Sequence, residues 1–449
     1  MDGAALEPQV QEVGRALADA LPHAARGPLR VLDDRAMEFA SSDAELRAAL
    51  FRFVDVVPAC RTLDDLARHL TGFLEDVDDP PPSIDAAMRM GSTRVGRAAL
   101  GAAAAVGVKR MAHRFIVGAD VSGARGVLRD LWRQGVASSV DLLGEATVTA
   151  DEADRYAARC AAALDDLAGV YDGLDPMPLL ERDAAGPTPR VNLSVKTSAL
   201  TPLLRPDAPD LGRRDAAERL RPLLRQARDR GAHLHVDMES LDSREAVTDL
   251  VLSVLAEDEF REGPSAGVVL QAYLRDAPAL ATRLLEWCAR EPRAVPLTVR
   301  LVKGAYWDHE IIEARQHGWT SPVFEQKSDS DRTFEALTRD LLAARSSGVP
   351  VRVAIASHNL RSVAHALAAN DALGGHSADV EIQVLRGLGD ELQHALSTTG
   401  RRVRTYCPVG DLVAGMAYLV RRLLENTSNE SFLHDQVSGV PIEELLQAP

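Results

Sequence analysis

The chain has 449 residues, of which 46% are hydrophobic and 26% are charged, and acidic residues outnumber basic ones by 66 to 51. This composition is typical of a globular protein and unlike that of a disordered or collagenous chain. The net charge of −15 repels nucleic-acid phosphates, so we expect no nucleic-acid partner. The four cysteines form no C-x-x-C pair, which argues against a structural zinc site or a disulfide framework.

The sequence shows no targeting signal or membrane span. Its first residues, MDGAALEPQV, lack a basic segment followed by an apolar core. The longest apolar run, Ala98–Val108, is much shorter than the ~20 residues that cross a bilayer. We therefore expect a cytoplasmic protein.

Residues 1–110 are predicted to form an N-terminal helical arm or domain. Ala44–Val57 carries apolar residues at helical spacing, and Leu63–Leu74 repeats that pattern. The proline-rich segment Asp78–Ser83 predicts a break, after which a further helical stretch runs to about residue 113. We place a barrel domain at 111–435 and a C-terminal tail at 436–449.

From about residue 136, short β-branched runs alternate with amphipathic stretches. Eight runs predict strands, namely Ala137–Leu143, Arg190–Lys196, His233–Met238, Gly267–Tyr273, Leu297–Lys303, Val351–Ser357, Val380–Leu385 and Arg402–Tyr406. Helices are predicted at Glu152–Val170, Asp215–Arg230, Arg244–Leu255, Pro278–Ala289, Arg332–Arg345 and Leu412–Asn426. The alternation predicts an α/β fold, most simply a closed (βα)8 barrel. A doubly wound open sheet is the alternative, disfavoured because no run precedes a glycine-rich dinucleotide or phosphate loop.

The active site of such a barrel lies at the C-terminal ends of its strands. Nearly every predicted strand ends in polar or aromatic residues: Asp141, Glu145, Lys196, Asp237, Glu239, Gln271, Tyr273, Arg300, Lys303, Tyr306, Trp307, His358, Asn359, Gln383 and Tyr406. Any one of them could be polar simply because strand ends meet water. The complete set is larger than that explanation predicts.

The last predicted helix carries the sharpest signal. Tyr418, Arg421, Arg422 and Glu425 share one face. Adjacent guanidinium groups suit bidentate binding of a small carboxylate. The alternative is a solvent-exposed face with an Arg422–Glu425 ion pair.

Three other patterns carry weaker signals. His233 and His235 alternate along a strand but lack a third ligand, so no metal site is predicted. Lys196 or Lys303 could form a Schiff base in an aldolase-type barrel. The turn at Gly387–Gly389 could admit a phosphate at a helix N-terminus or could be only a tight turn.

Nine segments occur in a recognisable order: VDLLGEA, NLSVKTSAL, VDMES, LQAYL, RLVKGAYWDHEI, SHN, IQVLRGLG, YCPVG and AYLVRRLLENTSNESF. Together they resemble the proline dehydrogenase domain of the proline utilization A family, over about residues 110–435. LFRFVDVVP is similar to the helical domain of that family. Longer members continue into an aldehyde dehydrogenase module, which we expect to be absent here. The chain would then be one half of a split enzyme or a stand-alone version, with a separate pyrroline-5-carboxylate dehydrogenase as a candidate partner.

The resemblance implies a distorted (βα)8 barrel that binds FAD and oxidises L-proline to Δ1-pyrroline-5-carboxylate. Hydride would pass from C5 to flavin N5, and electrons would pass on to a quinone. By the same resemblance, the catalytic residues are Arg300, Lys196, Asp237 and Tyr406. The substrate-binding residues are Arg421 and Arg422 at the carboxylate with Lys196 nearby, Tyr418, Leu385 and Tyr306 at the ring, and Glu145 as a gate. The cofactor-binding residues are Gln271, Arg300, Val302, Lys303, Gly304, Trp307, His358, Gln383 and Glu425.

Departures from the family pattern leave room for other functions. The loop EQKSDSDRT is more acidic than expected, so Lys327 is left out of the predicted site. A related flavin enzyme acting on a proline analogue such as hydroxyproline remains open. An aldolase-type barrel and a non-catalytic FAD-binding protein are further alternatives.

Overall fold

The computed structural model describes residues 3–22, 44–78, 80, 82–144, 146–411, 415 and 440–449. Its longer helices are Gly3–Asp19, Ala44–Val56, Leu63–Leu74, Pro82–Gly91, Arg94–Phe115, Val121–Arg133, Ala150–Val170, Pro209–Asp229, Leu241–Leu255, Ala277–Arg290, Trp307–His317, Lys327–Ser346, Leu360–Ala372 and Asp390–Thr398. Single helical turns lie at Val57–Ala59, Pro178–Glu181, Thr197–Leu200, Asp258–Phe260 and Ile442–Leu445. Among the helices described, none is both long and apolar enough to cross a membrane.

Eight parallel strands form a closed barrel, which confirms the predicted fold class. In chain order, β1 to β8 are Ala137–Leu142, Asn192–Lys196, His233–Asp237, Ser265–Gln271, Leu297–Val302, Val351–Ala356, Val380–Leu385 and Val403–Val409. Each strand pairs with its neighbours in sequence, and β8 closes the ring by pairing with β1. Since side chains alternate along a strand, every second residue faces the interior of the barrel.

The structure differs from the sequence prediction at several element boundaries. The last strand extends three residues beyond Tyr406, because Cys407, Pro408 and Val409 pair with β1. The helix Leu360–Ala372 was not predicted. It is buried along almost its whole length, so its sequence lacks the polar face by which an exposed helix is recognised.

The first helix packs on the barrel, and its buried residues lie in a different core from those of the N-terminal helices described from Ala44 onward. Gly3–Asp19 covers Leu360–Ala372 and buries Leu6, Val10 and Leu17 in the barrel core. Arg361 donates hydrogen bonds to both carboxylate oxygens of Glu7, at 2.8 and 2.9 Å, and to the carbonyl oxygen of Leu446 at 2.6 Å. One buried guanidinium therefore ties segments from opposite ends of the sequence to the barrel.

Four helices described between Ala44 and Phe115 pack together at the C-terminal mouth of the barrel. Phe53, Leu66 and Phe115 share a core with Leu143 and Leu388, which follow β1 and β7. Leu385, at the end of β7, packs against the same core. The helical domain thus forms one wall of the mouth.

A glycine turn after β7 allows this close approach. Gly387 has φ +83°, and a Cβ there would lie 2.7 Å from the carbonyl oxygen of Arg114. The Nε of Arg114 donates to the carbonyl oxygen of Gly387 at 3.1 Å. Of the two interpretations of Gly387–Gly389, the structure supports a tight turn against a helix.

Packing within the helical domain predicts that substituting two glycines of helix Arg94–Phe115 by alanine changes the free energy of unfolding in opposite directions. A Cβ at Gly101 would lie 1.9 Å from the carbonyl oxygen of Leu63, whereas Gly107 has open space around it. We expect Gly101→Ala to lower the free energy of unfolding by about 1–3 kcal/mol and Gly107→Ala to raise it by about 0.5–1 kcal/mol. Urea unfolding followed by circular dichroism measures both. Equal midpoints in the two variants would contradict this packing.

Candidate active site

Arg300 occupies the centre of the barrel mouth, on β5, and is 5% exposed. Its Nη1 donates to Oδ1 of Asp237 at 2.6 Å, and its Nε donates to Oε1 of Gln383 at 2.7 Å. Its Nη2 donates to Oγ of Ser194 at 3.3 Å, and the guanidinium carbon lies 5.5 Å from the centre of the Tyr406 ring. These bonds use three of the five N–H donors and fix the orientation of the planar group.

Lys196 lies beside Arg300, at the end of β2, and contacts two carboxylates. Its Nζ donates to Oδ1 of Asp141 and lies 3.9 Å from Oδ2 of Asp237. Burial acts to lower the pKa of Lys196, but the charges of Asp141, Asp237 and Glu239 outweigh burial and raise it. The lysine is therefore a charged ammonium at neutral pH and not the neutral amine that forms a Schiff base.

Tyr406 completes the network from β8. Its hydroxyl donates to Oδ2 of Asp237 at 2.6 Å. Burial raises the pKa of Tyr406 well above its ordinary value, and the charges of Asp141 and Asp237 raise it further. Tyr406 is thus a neutral hydrogen-bond donor that orients Asp237.

Several features beside this network suit a flavin. Gln271 is 3% exposed, and its Nε2 donates to the carbonyl oxygen of Glu239 at 3.0 Å. Its Oε1, like the hydroxyl of Tyr273, has no hydrogen-bond partner among the described residues. Gly304 has φ +148°, and a Cβ there would lie 2.4 Å from the Tyr273 ring. An unpaired amide oxygen on β4 and a fixed guanidinium on the neighbouring strand β5 fit the ring N–H and electron-rich edge of an isoalloxazine, so the residues present agree with FAD.

Lys303 follows β5 but turns away from the Arg300 network. Its Nζ donates to Oδ1 of Asp331, and Lys327 donates to Oδ2 of the same carboxylate at 3.0 Å. Burial lowers the pKa of Lys303, and Asp331 offsets only part of that effect. Lys327, omitted from the predicted site, therefore shares a carboxylate with Lys303.

The remaining described residues of the predicted site line the rim. Nε2 of His358 accepts from the backbone N–H of Leu385 at 2.9 Å, so Nδ1 carries the proton of the neutral ring. Nε1 of Trp307 donates to the carbonyl oxygen of Phe324 at 2.8 Å, and the indole is 40% exposed. The carbonyl of Val302 accepts from the backbone N–H of Ala272 in the strand pairing. Tyr306 immediately precedes the helix Trp307–His317 and is half-buried.

Five predicted site residues lie outside the described residues: Glu145, Tyr418, Arg421, Arg422 and Glu425. Their proposed roles at the carboxylate, the ring and the gate stay predictions.

Sequence reasoning missed three members of the site. Asp141 was noted at the end of β1 but given no role, although it is fully buried beside Lys196. Ser194 precedes Lys196 by two residues and shares its inward face, which was an available signal. Asp331 lies in the segment EQKSDSDRT, which was predicted to be a loop and read only as a departure from the family, but from Lys327 onward this segment is helical.

The chain matches two family models. The model described as proline dehydrogenase matches residues 124–435, and the model described as proline utilization A N-terminal domain matches residues 7–115. The bifunctional protein PutA of Salmonella typhimurium is 32% identical over 359 residues, which cover 76% of this chain and 25% of that protein. Proline dehydrogenase 1 of Bacillus subtilis is 26% identical over 331 residues, covering 74% of this chain and 92% of that protein. The chain therefore spans about a quarter of the length of the bifunctional relative.

Among solved structures, PutA from Bdellovibrio bacteriovorus inactivated by N-propargylglycine superposes with a TM-score of 0.89 at 32% identity. The match covers 99% of this chain and 44% of that one. The first model spans more than half of the chain, and it includes all eight barrel strands and the Arg300 network. The chain therefore belongs to the proline dehydrogenase family of oxidoreductases and carries the N-terminal helical domain of proline utilization A.

Proposed function

We propose that the chain catalyses the FAD-dependent oxidation of L-proline to Δ1-pyrroline-5-carboxylate. The observation that carries this proposal is the buried network of Lys196, Asp237 and Arg300 at the barrel mouth. It presents two buried cations in fixed positions, as an anionic substrate and a reduced cofactor require. Family membership supplies the substrate class.

Binding of the proline carboxylate is assigned to Lys196 together with Arg421 and Arg422. The ammonium of Lys196 is charged at neutral pH because Asp141 lies against it. A lysine contributes a point charge, whereas two adjacent arginines can form paired hydrogen bonds to both carboxylate oxygens. Leu385, Tyr306 and Tyr418 are assigned to the apolar ring, and Glu145 to a gate over it.

The reaction removes a hydride from C5 and a proton from the ring nitrogen, so that C–N becomes C=N. FAD, when bound, supplies the acceptor for the hydride, which no amino-acid side chain can provide. Arg300 is assigned to the electron-rich edge of the cofactor and stabilises the additional negative charge there. Gln271, Val302, Lys303, Gly304, Trp307, His358, Gln383 and Glu425 are assigned to holding the cofactor.

Asp237 keeps the cations of the site in place. It accepts hydrogen bonds from Arg300 and Tyr406 through separate oxygens and contacts Lys196. The carboxylate therefore offsets the repulsion between an ammonium and a guanidinium that both face the substrate. The ring of Tyr406 packs against the guanidinium of Arg300, and its hydroxyl donates a hydrogen bond to no other described group.

The proposal extends to the acceptor and the setting of the reaction. We assign a quinone as the electron acceptor, a cytoplasmic location with at most peripheral membrane contact, and a separate pyrroline-5-carboxylate dehydrogenase as the enzyme that uses the product.

Anaerobic reduction of the flavin distinguishes L-proline from its analogue hydroxyproline as the substrate. Bleaching of the flavin by L-proline but not by hydroxyproline would support L-proline. Faster bleaching by hydroxyproline would reverse the assignment.

Substitution of the proposed carboxylate-binding arginines tests the function directly. We expect Arg421→Met and Arg422→Met each to weaken L-proline binding about 100-fold, because each removes charge-assisted hydrogen bonds to the carboxylate. Flavin absorbance should stay unchanged in both. Arg401→Met is the control, since Arg401 pairs with Asp371 away from the mouth. Kinetics like those of the control in both variants would refute the assignment, as would a purified protein that binds no FAD.

Asp141→Asn tests the charge state of Lys196. Without the adjacent carboxylate, less negative charge opposes burial, so the pKa of Lys196 falls and the ammonium is lost at a lower pH than in the unchanged chain. The probe is cyclopentanecarboxylate, which has no ring nitrogen to titrate. As pH rises, we expect its affinity to fall about tenfold more in the variant than in the unchanged chain. Calorimetry at several pH values measures this. Asp130→Asn, at an exposed ion pair, is the control, and parallel pH profiles in all three chains would contradict the role of Asp141.

A further inference from the structure

A cavity of about 30 Å³ lies at the N-terminal end of the barrel, opposite the proposed active site. Its walls come from the first residues of the strands, including Asn192 of β2, His233 of β3 and Ser265 of β4. A two-residue hairpin, formed by Arg182–Asp183 and Gly186–Pro187, contributes Asp183 to the lining. Gln383, which accepts a hydrogen bond from Arg300 at the mouth, also lines this cavity, so the two ends of the barrel share this side chain.

The lining is rich in buried charge. Arg402 and Arg404 bind the two oxygens of Glu381, with Nε to oxygen distances of 3.1 and 2.8 Å. Arg352 donates from Nε to Oδ2 of Asp183 at 2.8 Å. A fourth arginine, Arg345, lies behind the lining and pairs with Asp379 at 2.5 Å. Among the described residues of this cluster, four arginines therefore face three carboxylates, which leaves one excess positive charge.

Arg352 supplies an unpaired donor to the cavity. Its Nε and Nη2 bind Asp183 and the carbonyl oxygen of Pro187, while its Nη1 has no hydrogen-bond partner in the described part of the chain. The side chain is 8% exposed, so bulk water does not satisfy this N–H group. A buried guanidinium donor at the wall of a polar cavity requires an acceptor inside that cavity.

His233, which lines the cavity, does not supply that acceptor. Burial, together with the charge of Arg404, lowers the pKa of His233 to about 3, so the ring is neutral. Its Nδ1 pairs with Oγ of Ser265 at 2.8 Å, and its Nε2 pairs with Nδ1 of His235 at 3.2 Å. Both ring nitrogens of His233 therefore have partners, and the neutral ring neither adds to the positive charge beside the cavity nor offsets it.

We propose that this cavity binds one small monovalent anion of the halide class, with Nη1 of Arg352 as a direct ligand. A volume of about 30 Å³ accommodates roughly two water-sized particles, so a halide fits and a sulfate or phosphate does not. The single excess positive charge favours a monovalent anion over a neutral water. The bound ion balances the arginine cluster and stabilises the closed end of the barrel.

Diffraction from the unchanged chain tests the site itself. Crystals of the purified protein grown in sodium bromide should show a bromide anomalous peak within hydrogen-bond distance of Nη1 of Arg352. Ordered density there without anomalous signal would identify a water and overturn the proposal.

Thermal unfolding tests whether the ion binds in solution. When chloride replaces gluconate at fixed total sodium, we expect the melting temperature of the unchanged chain to rise by about 2 °C and to saturate, because the ion binds only the folded state. Sulfate should give no such saturable rise. A rise that increases without saturation in all salts would reflect general salt effects and overturn the proposal.

Opposite changes in one ion pair separate this site from a merely structural cluster. Arg352→Gln should abolish the chloride response, whereas Asp183→Asn, which removes a competing negative charge, should strengthen it. The control is Arg190→Gln, which breaks the ion pair with Glu181 near the same end of the barrel but outside the lining. The same response in all three variants would exclude Arg352 as the ligand.

Discussion

Ionic groups inside the closed barrel need partners of opposite charge, and this requirement organises both of its ends. At the mouth, Asp237 contacts Arg300 and Lys196. At the base, Glu381 contacts two arginines, and the combined charges hold its pKa below the ordinary value although burial alone would raise it. Gln383 connects the charged groups at the mouth to those at the base, because it accepts a hydrogen bond from Arg300 and donates one to Glu381. The orientation of Arg300 at the proposed flavin position therefore depends on charges at both ends.

The helical domain and the barrel form one functional unit at the mouth. Its core includes Leu143 and Leu388 from the loops after β1 and β7, and a glycine turn at Gly387 brings helix Arg94–Phe115 into contact with the barrel. Leu385, assigned to the substrate ring, packs against the same core. A change in the packing of this helical domain is therefore transmitted to one wall of the proposed proline pocket.

The contacts made by each site residue were less predictable than its position. Lys196, Asp237, Arg300 and Tyr406 were all expected at strand ends, and the structure joins them in one network. The pairing of Lys196 with Asp141 was not expected, because it depends on the register between β1 and β2, which places Asp141 opposite Ser194. Lys303 was expected near the cofactor, but the structure shows that its ammonium is bound by Asp331 from a helix 28 residues away.

The sequence by itself determined the eight strands and their order, because the alternation of short β-branched runs with amphipathic stretches is a local property of neighbouring residues. It also determined the family, through segments that keep their order along the chain. Only the tertiary structure decided which charges meet, where the first helix packs and that an arginine-lined cavity lies at the base. Those features join residues far apart in sequence, such as Tyr406 and Asp237 at a separation of 169 residues. Their proximity follows from closure of the barrel, which no local pattern of the sequence encodes.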